Sequence, residues 1–512
     1  MKTGFETRGK RMVIQRFLVL GLVGTTTMLG ATPLYAQDSG RRDSGDAVLR
    51  EAVRALLRDV ERDGTSCAVA AVRLSDERAV FEHRAREAMA PASNQKVLTA
   101  IHVVRSLGFD HEFVTRFSLV RSGARGDDAA GPPYLRVESS GDPTLLRERS
   151  ESSYFAPVAT ALERAGVREV AGIEFDAPAW TGPARPATWP QDQLDQPYAP
   201  PTGPFVLEEG CLVVEVRPTT TSSPANIVLH PSGLDVRALV RGSVKTTGSK
   251  KEGRSIVVAR TSDGVRVSGA IWSGFGPSIT RLADPDPQRS YEASLEAALA
   301  ERGIRIAPAR ARALEAGAPA GAAHEAATQL CELRNPLRPA LERLLVLSSN
   351  FQGEQLLRIV AAHEGGEASL EAGVAAMQQR FAGAKGSDGL VVVDGSGLSR
   401  GNRVTAALLA HGLASALLEA SGKDLIACFP VAGRSGKLAD RMQKIAGRVR
   451  AKTGWIRGVS ALTGTVLTES DEVVVFSILM NYDPSRQGYN RKLTQAQDRI
   501  VEALYEHTRA AR

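Results

Sequence analysis

The feature that most limits the folds open to this chain is a change of texture that happens twice along it. Residues 44–62 carry apolar side chains at helical spacing, with Val48, Val53, Leu56, Leu57 and Val60 on one side. Two strand-like runs follow, Ser66–Leu74 and Ala79–His83, and then a further helix over Val97–Ile101. From about residue 109 to 327 the pattern turns to short alternating strands between Gly and Pro turns. Phe113–Val120, Cys211–Val216, Ser255–Ala259 and Val265–Trp272 are examples, with a helix expected at Glu292–Arg302 and a loose Ala/Gly/Arg-rich connection at Ala307–Ala327. Helices then return at Leu337–Leu347, Gln352–His363 and Leu370–Phe381. A strand at Leu390–Val393, a helix capped by Thr405, strands at Arg448–Lys452, Ala461–Thr468 and Glu472–Met480, and a helix over Lys492–Thr508 complete the order. This order predicts one α/β domain, residues 44–108 and 328–512, whose sheet is completed from both ends of the chain. Residues 109–327 are then a β-rich insertion, enough for two small domains.

Three short motifs flank this insertion. Ser93 and Lys96 sit three residues apart at the start of a predicted helix, on one face. A serine becomes a competent nucleophile when a neighbouring base takes its proton, and a lysine does so when its own pKa is depressed. Ser-x-x-Lys arises by chance about once or twice in a chain of this length, and a helix-capping serine with a solvent-facing lysine would look the same. Ser348-Ser349-Asn350 lies 255 positions beyond Ser93, too far for a loop within a compact domain. Lys452-Thr453-Gly454 follows at a predicted strand end, where the glycine lets a substrate backbone approach. Each is weak alone; together, in this order, they are strong.

Bulk properties exclude several classes. The chain has 43% hydrophobic and 24% charged residues, ordinary for a globular protein long enough for several domains. The formal charge of +7 is concentrated at the start, where Lys2, Arg8, Lys10, Arg11 and Arg16 stand against Glu6. With aromatics at 5%, a nucleic-acid partner has no support. The basic start, the apolar run Phe17–Val23 and the small residues up to Ala36 read as an export signal over residues 1–36, with an uncleaved anchor as the alternative. That places the protein in the periplasm or otherwise outside the cytoplasm, with peripheral membrane association left open. Cys67, Cys211, Cys331 and Cys428 show no Cys-x-x-Cys pair, so metal binding is unsupported; disulfides and buried free thiols both remain open. No His pair has zinc spacing, and no phosphate loop or dinucleotide fingerprint occurs. Gly397-Leu398-Ser399-Arg400-Gly401 fits a nucleophile-elbow string, but it falls in a loop and not between a strand and a helix.

The three motifs in sequence resemble those of β-lactamases and penicillin-binding proteins. Over most of residues 44–510 the chain is similar to class C low-molecular-mass penicillin-binding proteins, the D-alanyl-D-alanine carboxypeptidase/endopeptidase type. Pro91–Lys96, Ser140–Leu145, Tyr198–Pro201, Asp394–Arg400 and Pro430–Gly433 carry the likeness, as does the long insertion. The resemblance implies a penicillin-recognising serine transpeptidase-like fold, helices on an antiparallel sheet, with β-rich domains inserted between the first two motifs. It implies hydrolysis of peptidoglycan stem peptides through an acyl-enzyme, with no cofactor and with β-lactams as inhibitors. Ser93 would be the nucleophile, Lys96 the base, Ser348 a proton relay and Asn350 an orienting group. Lys452 would keep the site positive and so help hold Lys96 neutral. Thr453 and Gly454 would bind substrate, and the backbone of Trp455 would complete an oxyanion hole with that of Ser93. Two departures stand out: Trp455 replaces the family's usual Ser or Thr, and Arg434-Ser435-Gly436-Lys437 replaces an acidic-then-glycine stretch. Leu207-Glu208-Glu209-Gly210 offers acidic groups to a cationic stem-peptide residue. A β-lactamase-like hydrolase and a non-catalytic peptidoglycan-binding homologue are the competing readings. Penicillin labelling followed over time separates them as a long-lived adduct, rapid turnover or no adduct.

Overall fold

The computed structural model describes residues 35–121, 131–149, 153–307 and 327–507. The expected export signal lies outside the described residues up to position 34, and the Ala307–Ala327 connection lies outside them from 308 to 326. Among the described residues, no helix is long and apolar enough to cross a membrane.

Five strands, β1 (Ser66–Arg73), β2 (Ala79–His83), β3 (Val449–Ile456), β4 (Val459–Leu467) and β5 (Val473–Asn481), form one antiparallel sheet in the order β3-β4-β5-β1-β2. The ends of the chain meet at its centre, where Ser66 of β1 pairs with Asn481 of β5 and Arg73 with Val474. The run Cys-Ala-Val-Ala-Ala-Val in β1 is continuously apolar because both faces of the sheet are covered. Ala68, Ala70 and Val72 face one core, built with the helices α2 (Gln95–Leu107), α3 (Asn350–His363) and α4 (Ala406–Leu418). Cys67, Val69 and Ala71 face a second, shared with the helices α1 (Tyr35–Glu61) and α5 (Asn490–Glu506). The first of these outer helices turns Leu49, Val53, Leu57 and Val60 inward; Leu49 is 3% exposed and Val48 66%, so the buried stripe begins one residue later than the spacing suggests.

Two further cores are built between Phe117 and Ile304. One lies against a four-stranded sheet in which Glu112–Val120 sits between Thr328–Pro336 and Tyr134–Ser139, so the chain leaves and returns on neighbouring strands. The other is centred on Cys211–Arg217 and its neighbours Ser278–Ala283 and Asn226–His230. The helix here spans Pro287–Glu301, started by Asp286 accepting from the backbone N–H of Arg289. Leu390–Val393 does not form the expected strand. Val391 makes a lone bridge to Arg403, while Gln378 and Asn402 side chains take the N–H groups of Val392 and Val393. All four cysteines are free thiols, and burial pushes each to about 11 or 12.

Candidate functional site

The three motifs, far apart in sequence, converge where α2, α3 and the edge strand β3 meet. Ser93 lies in a single 3₁₀ turn, Ala92–Asn94, that leads into α2. Ala92 has φ +46°, a left-handed conformation that a non-glycine residue holds only when its surroundings enforce it. Asn94 is part of that enforcement, since its amide donates to the carbonyl of Lys452 at 3.2 Å. Gly454 is the other part. A Cβ there would come within 2.7 Å of the Asn94 amide and 2.8 Å of the Pro91 carbonyl. The glycine therefore makes room for the protein's own turn at Pro91–Asn94.

In Ser348-Ser349-Asn350, the middle residue is the helix cap, its hydroxyl accepting from the Gln352 N–H at 3.3 Å. Ser348 is held at φ +62°, and Asn350 opens α3. The strained residue and the first helical residue are both thereby presented to the site. Lys96 Nζ is 3.2 Å from Ser93 Oγ, 2.7 Å from Asn350 Oδ1 and 2.6 Å from the Ser396 carbonyl. Lys452 Nζ donates to Ser348 Oγ at 2.9 Å and to the Thr453 carbonyl at 2.7 Å. The Asn350 amide donates to the Tyr198 carbonyl at 2.7 Å, tying the inserted region to the site. Ser93, Ser348, Thr453, Gly454 and Trp455 line one cleft of about 370 Å³. Trp455 is 58% exposed at the edge of this cleft.

Lys96 is fully buried, and burial pushes its ammonium down to about 8, against the pull of Asp394 and Glu354. Desolvation is the largest cause of that fall, with the expected like-charge repulsion between Lys96 and Lys452 beside it. The repulsion is felt at Lys452, which lies well below the ordinary lysine range through burial first, then Lys96 and Lys437.

Sequence reasoning missed the groups beneath Lys96. Glu354 accepts from the backbone N–H groups of Gly395 and Ser396 at 3.0 and 2.9 Å. Asp394 accepts from the N–H groups of Gly397 and Ser399, the Asn402 amide and the Trp189 indole. Between them they hold the loop whose carbonyl receives Lys96. Burial, then Asp394, raises Glu354 to about 8. In the sequence Glu354 is an ordinary helix residue; only its four-residue offset from Asn350 on α3 hinted at a shared face.

The acidic pair at 208–209 does not face a substrate. Glu208 accepts from the Tyr154 hydroxyl and from the Arg147 N–H at 2.6 Å. Glu209 accepts two bonds from Arg343, at 2.9 and 2.7 Å, and one from Gln352 at 3.1 Å. Both carboxylates are buried, as a charge in such a place requires partners to be. Glu209 fastens the inserted region to α3 through Gln352 and to the helix Arg338–Leu345 through Arg343, while Glu208 bonds within the insertion.

Comparison with known proteins agrees with this fold. The model of the D-Ala-D-Ala carboxypeptidase 3 (S13) family matches residues 49–502. A protein named D-alanyl-D-alanine carboxypeptidase from an Actinomadura species is 30% identical over 487 residues, 89% of this chain and 84% of that one. The crystal structure of penicillin binding protein 4 from Haemophilus influenzae superimposes with a TM-score of 0.66 at 22% identity, covering 86% of this chain and 97% of that one. A second structure of the same protein, complexed with a β-lactam, gives a TM-score of 0.61 at 22% identity, over 86% of this chain and 96% of that one.

Proposed function

The chain belongs to the D-Ala-D-Ala carboxypeptidase 3 (S13) family, and on that premise we propose that it hydrolyses the terminal D-Ala-D-Ala bond of peptidoglycan stem peptides through an acyl-enzyme on Ser93. The observation that carries this reading is Lys96, fully buried with its Nζ at 3.2 Å from Ser93 Oγ and its pKa down to about 8. Such an amine is neutral in a useful fraction of molecules near neutral pH, whereas an exposed lysine is not.

Neutral Lys96 takes the Ser93 proton as Oγ bonds to the penultimate D-Ala carbonyl carbon. The oxyanion that forms is received by the backbone N–H groups of Ser93 and Trp455, a contribution of about 3–4 kcal/mol when one such donor is removed in other enzymes. Collapse breaks the peptide bond; the leaving amine takes the hydroxyl proton of Ser348, to which Lys452 donates at 2.9 Å, and Ser348 is re-protonated with the proton that Lys96 took from Ser93, so Lys96 is neutral again. Asn350 holds Lys96 through its Oδ1. Thr453 meets the terminal carboxylate. Water then cleaves the ester, with Lys96 again as base, and Ser93 regains its proton. A β-lactam acylates the same Ser93 and is released slowly. The enzyme acts outside the cytoplasm, residues 1–36 being removed on export, and cross-linked stem peptides are second substrates of the same site.

Ser93→Ala tests the assignment. Release of D-Ala from a stem pentapeptide and covalent labelling by penicillin should both vanish, and persistence of either would overturn it. Product masses from monomeric and cross-linked muropeptides decide the carboxypeptidase and endopeptidase shares.

A further inference from the structure

The cleft that holds Ser93 continues past Thr453 and Trp455 to Lys437 and Arg441, and no acidic side chain lines it. Four cationic residues therefore bear on one small space, but they are not equivalent. Lys96 and Lys452 are buried and fully engaged with Ser93, Asn350 and Ser348. Arg441 donates twice to Asp498, at 2.9 and 2.7 Å, so its charge is compensated and its fork is held in place. Lys437 is different. It stands exposed in the short turn Gly436–Leu438, and among the described residues it has no carboxylate within ion-pairing distance. Its charge nonetheless reaches the reaction centre, because it is one of the causes that lower Lys452.

An uncompensated ammonium beside a cleft without acids is a receptor for an anion. Trp455 brings no hydroxyl, and Thr453 supplies the one in the Lys-Thr-Gly-Trp stretch. We infer that Lys437 receives the terminal carboxylate of the substrate, so that this chain reads a free C-terminus with a cation on the turn before β3. The inference rests on the acyl-transfer reading above and adds a specificity-determining residue to it. Lys437 touches the carboxylate and not the scissile bond. Its effect is therefore discrimination between a substrate that ends in a carboxylate and one that does not.

The test compares two peptides that differ only there, one ending in D-Ala-D-Ala and the other in its C-terminal amide. kcat/KM is measured on both for the wild-type enzyme, Lys437→Ala and Lys437→Arg. A charge-assisted hydrogen bond lost from an accessible site should lower the acid-over-amide ratio by about tenfold or more in Lys437→Ala. Lys437→Arg, which keeps the charge, should restore most of it. A ratio unchanged in Lys437→Ala overturns the inference, as does an equal fall on both peptides, which would mark a structural role. Failure of the wild-type enzyme to release D-Ala from the acid peptide would instead overturn the acyl-transfer reading itself.

Discussion

The floor and the far wall of the cleft are built on opposite electrostatic plans. Beneath Lys96 the acids are buried and satisfied: Glu354 and Asp394 collect six hydrogen bonds from four backbone N–H groups, one amide and one indole. Across from it, Lys437 stands without an acid partner among the described residues, beside Arg441, which Asp498 answers, at a space with no acid lining it, and Trp455 lies open to solvent. The difference teaches a division of labour. The floor fixes one lysine at one distance from one hydroxyl, which proton transfer demands. The wall keeps positive potential in reserve for a ligand that brings its own negative charge.

Four changes would break or sharpen this contrast. Removing the base should have the largest effect: Lys96→Ala is expected to lower the rate of Ser93 acylation by about 10²- to 10⁴-fold, read by stopped-flow with a reporter β-lactam. A variant that acylates at the normal rate would dissolve the role given to the floor. Next comes Asp394→Asn, which sets two amide hydrogens against donors that now bond to a carboxylate. Loss of a buried charged acceptor should cost about 3 kcal/mol in denaturant unfolding. An unchanged midpoint would mean that the loop under Lys96 needs no anchor. The third concerns pH. Only neutral Lys96 can take a proton, and its pKa is about 8. kcat/KM should therefore rise with pH through a midpoint near 8, about tenfold from pH 7 to the plateau. Asp394 favours the ammonium, so in Asp394→Asn the same limb should move to lower pH; a move upward would reverse the sign argued for the floor. The smallest change is expected at the wall. Trp455→Thr changes a residue that is 58% exposed, so stability should stay within about 0.5 kcal/mol, while KM for a carboxylate-ended peptide falls a few-fold. A large loss of stability there would show that the indole is part of the frame.

Much of the frame was legible because its elements announce themselves locally. Ala79–His83 and the helix Leu370–Phe381 occupy the predicted residues, and the sheet closes from both ends of the chain as the order of elements implies. Leu390–Val393 misled because an apolar run does not say whether its N–H groups will meet a strand or, as here, the side chains of Gln378 and Asn402. The three motifs were readable as chemistry, and they do converge. Their support was not. Glu354 lies 41 positions from the Gly395 N–H it holds, and neither it nor Asp394 differs in type from many surface acids. The left-handed backbone at Ala92 and Ser348 is equally silent in sequence, since neither residue is one that favours that conformation. Glu208 and Glu209 show the opposite error: acids placed near a substrate by sequence serve internal arginines, a tyrosine and a glutamine instead.

The pairing of Ser66 with Asn481 has a consequence for assembly in time. A ribosome releases β1 and β2 long before β3, β4 and β5 exist, so β1 waits through about four hundred residues of synthesis for β5. Until then its apolar faces have no sheet to join and Lys452 is absent from the site. Contacts so distant in sequence make closure slow. A chain truncated anywhere before β5 should therefore yield a folded insertion at best and no acylating centre, and the reaction is switched on only when the last strand docks.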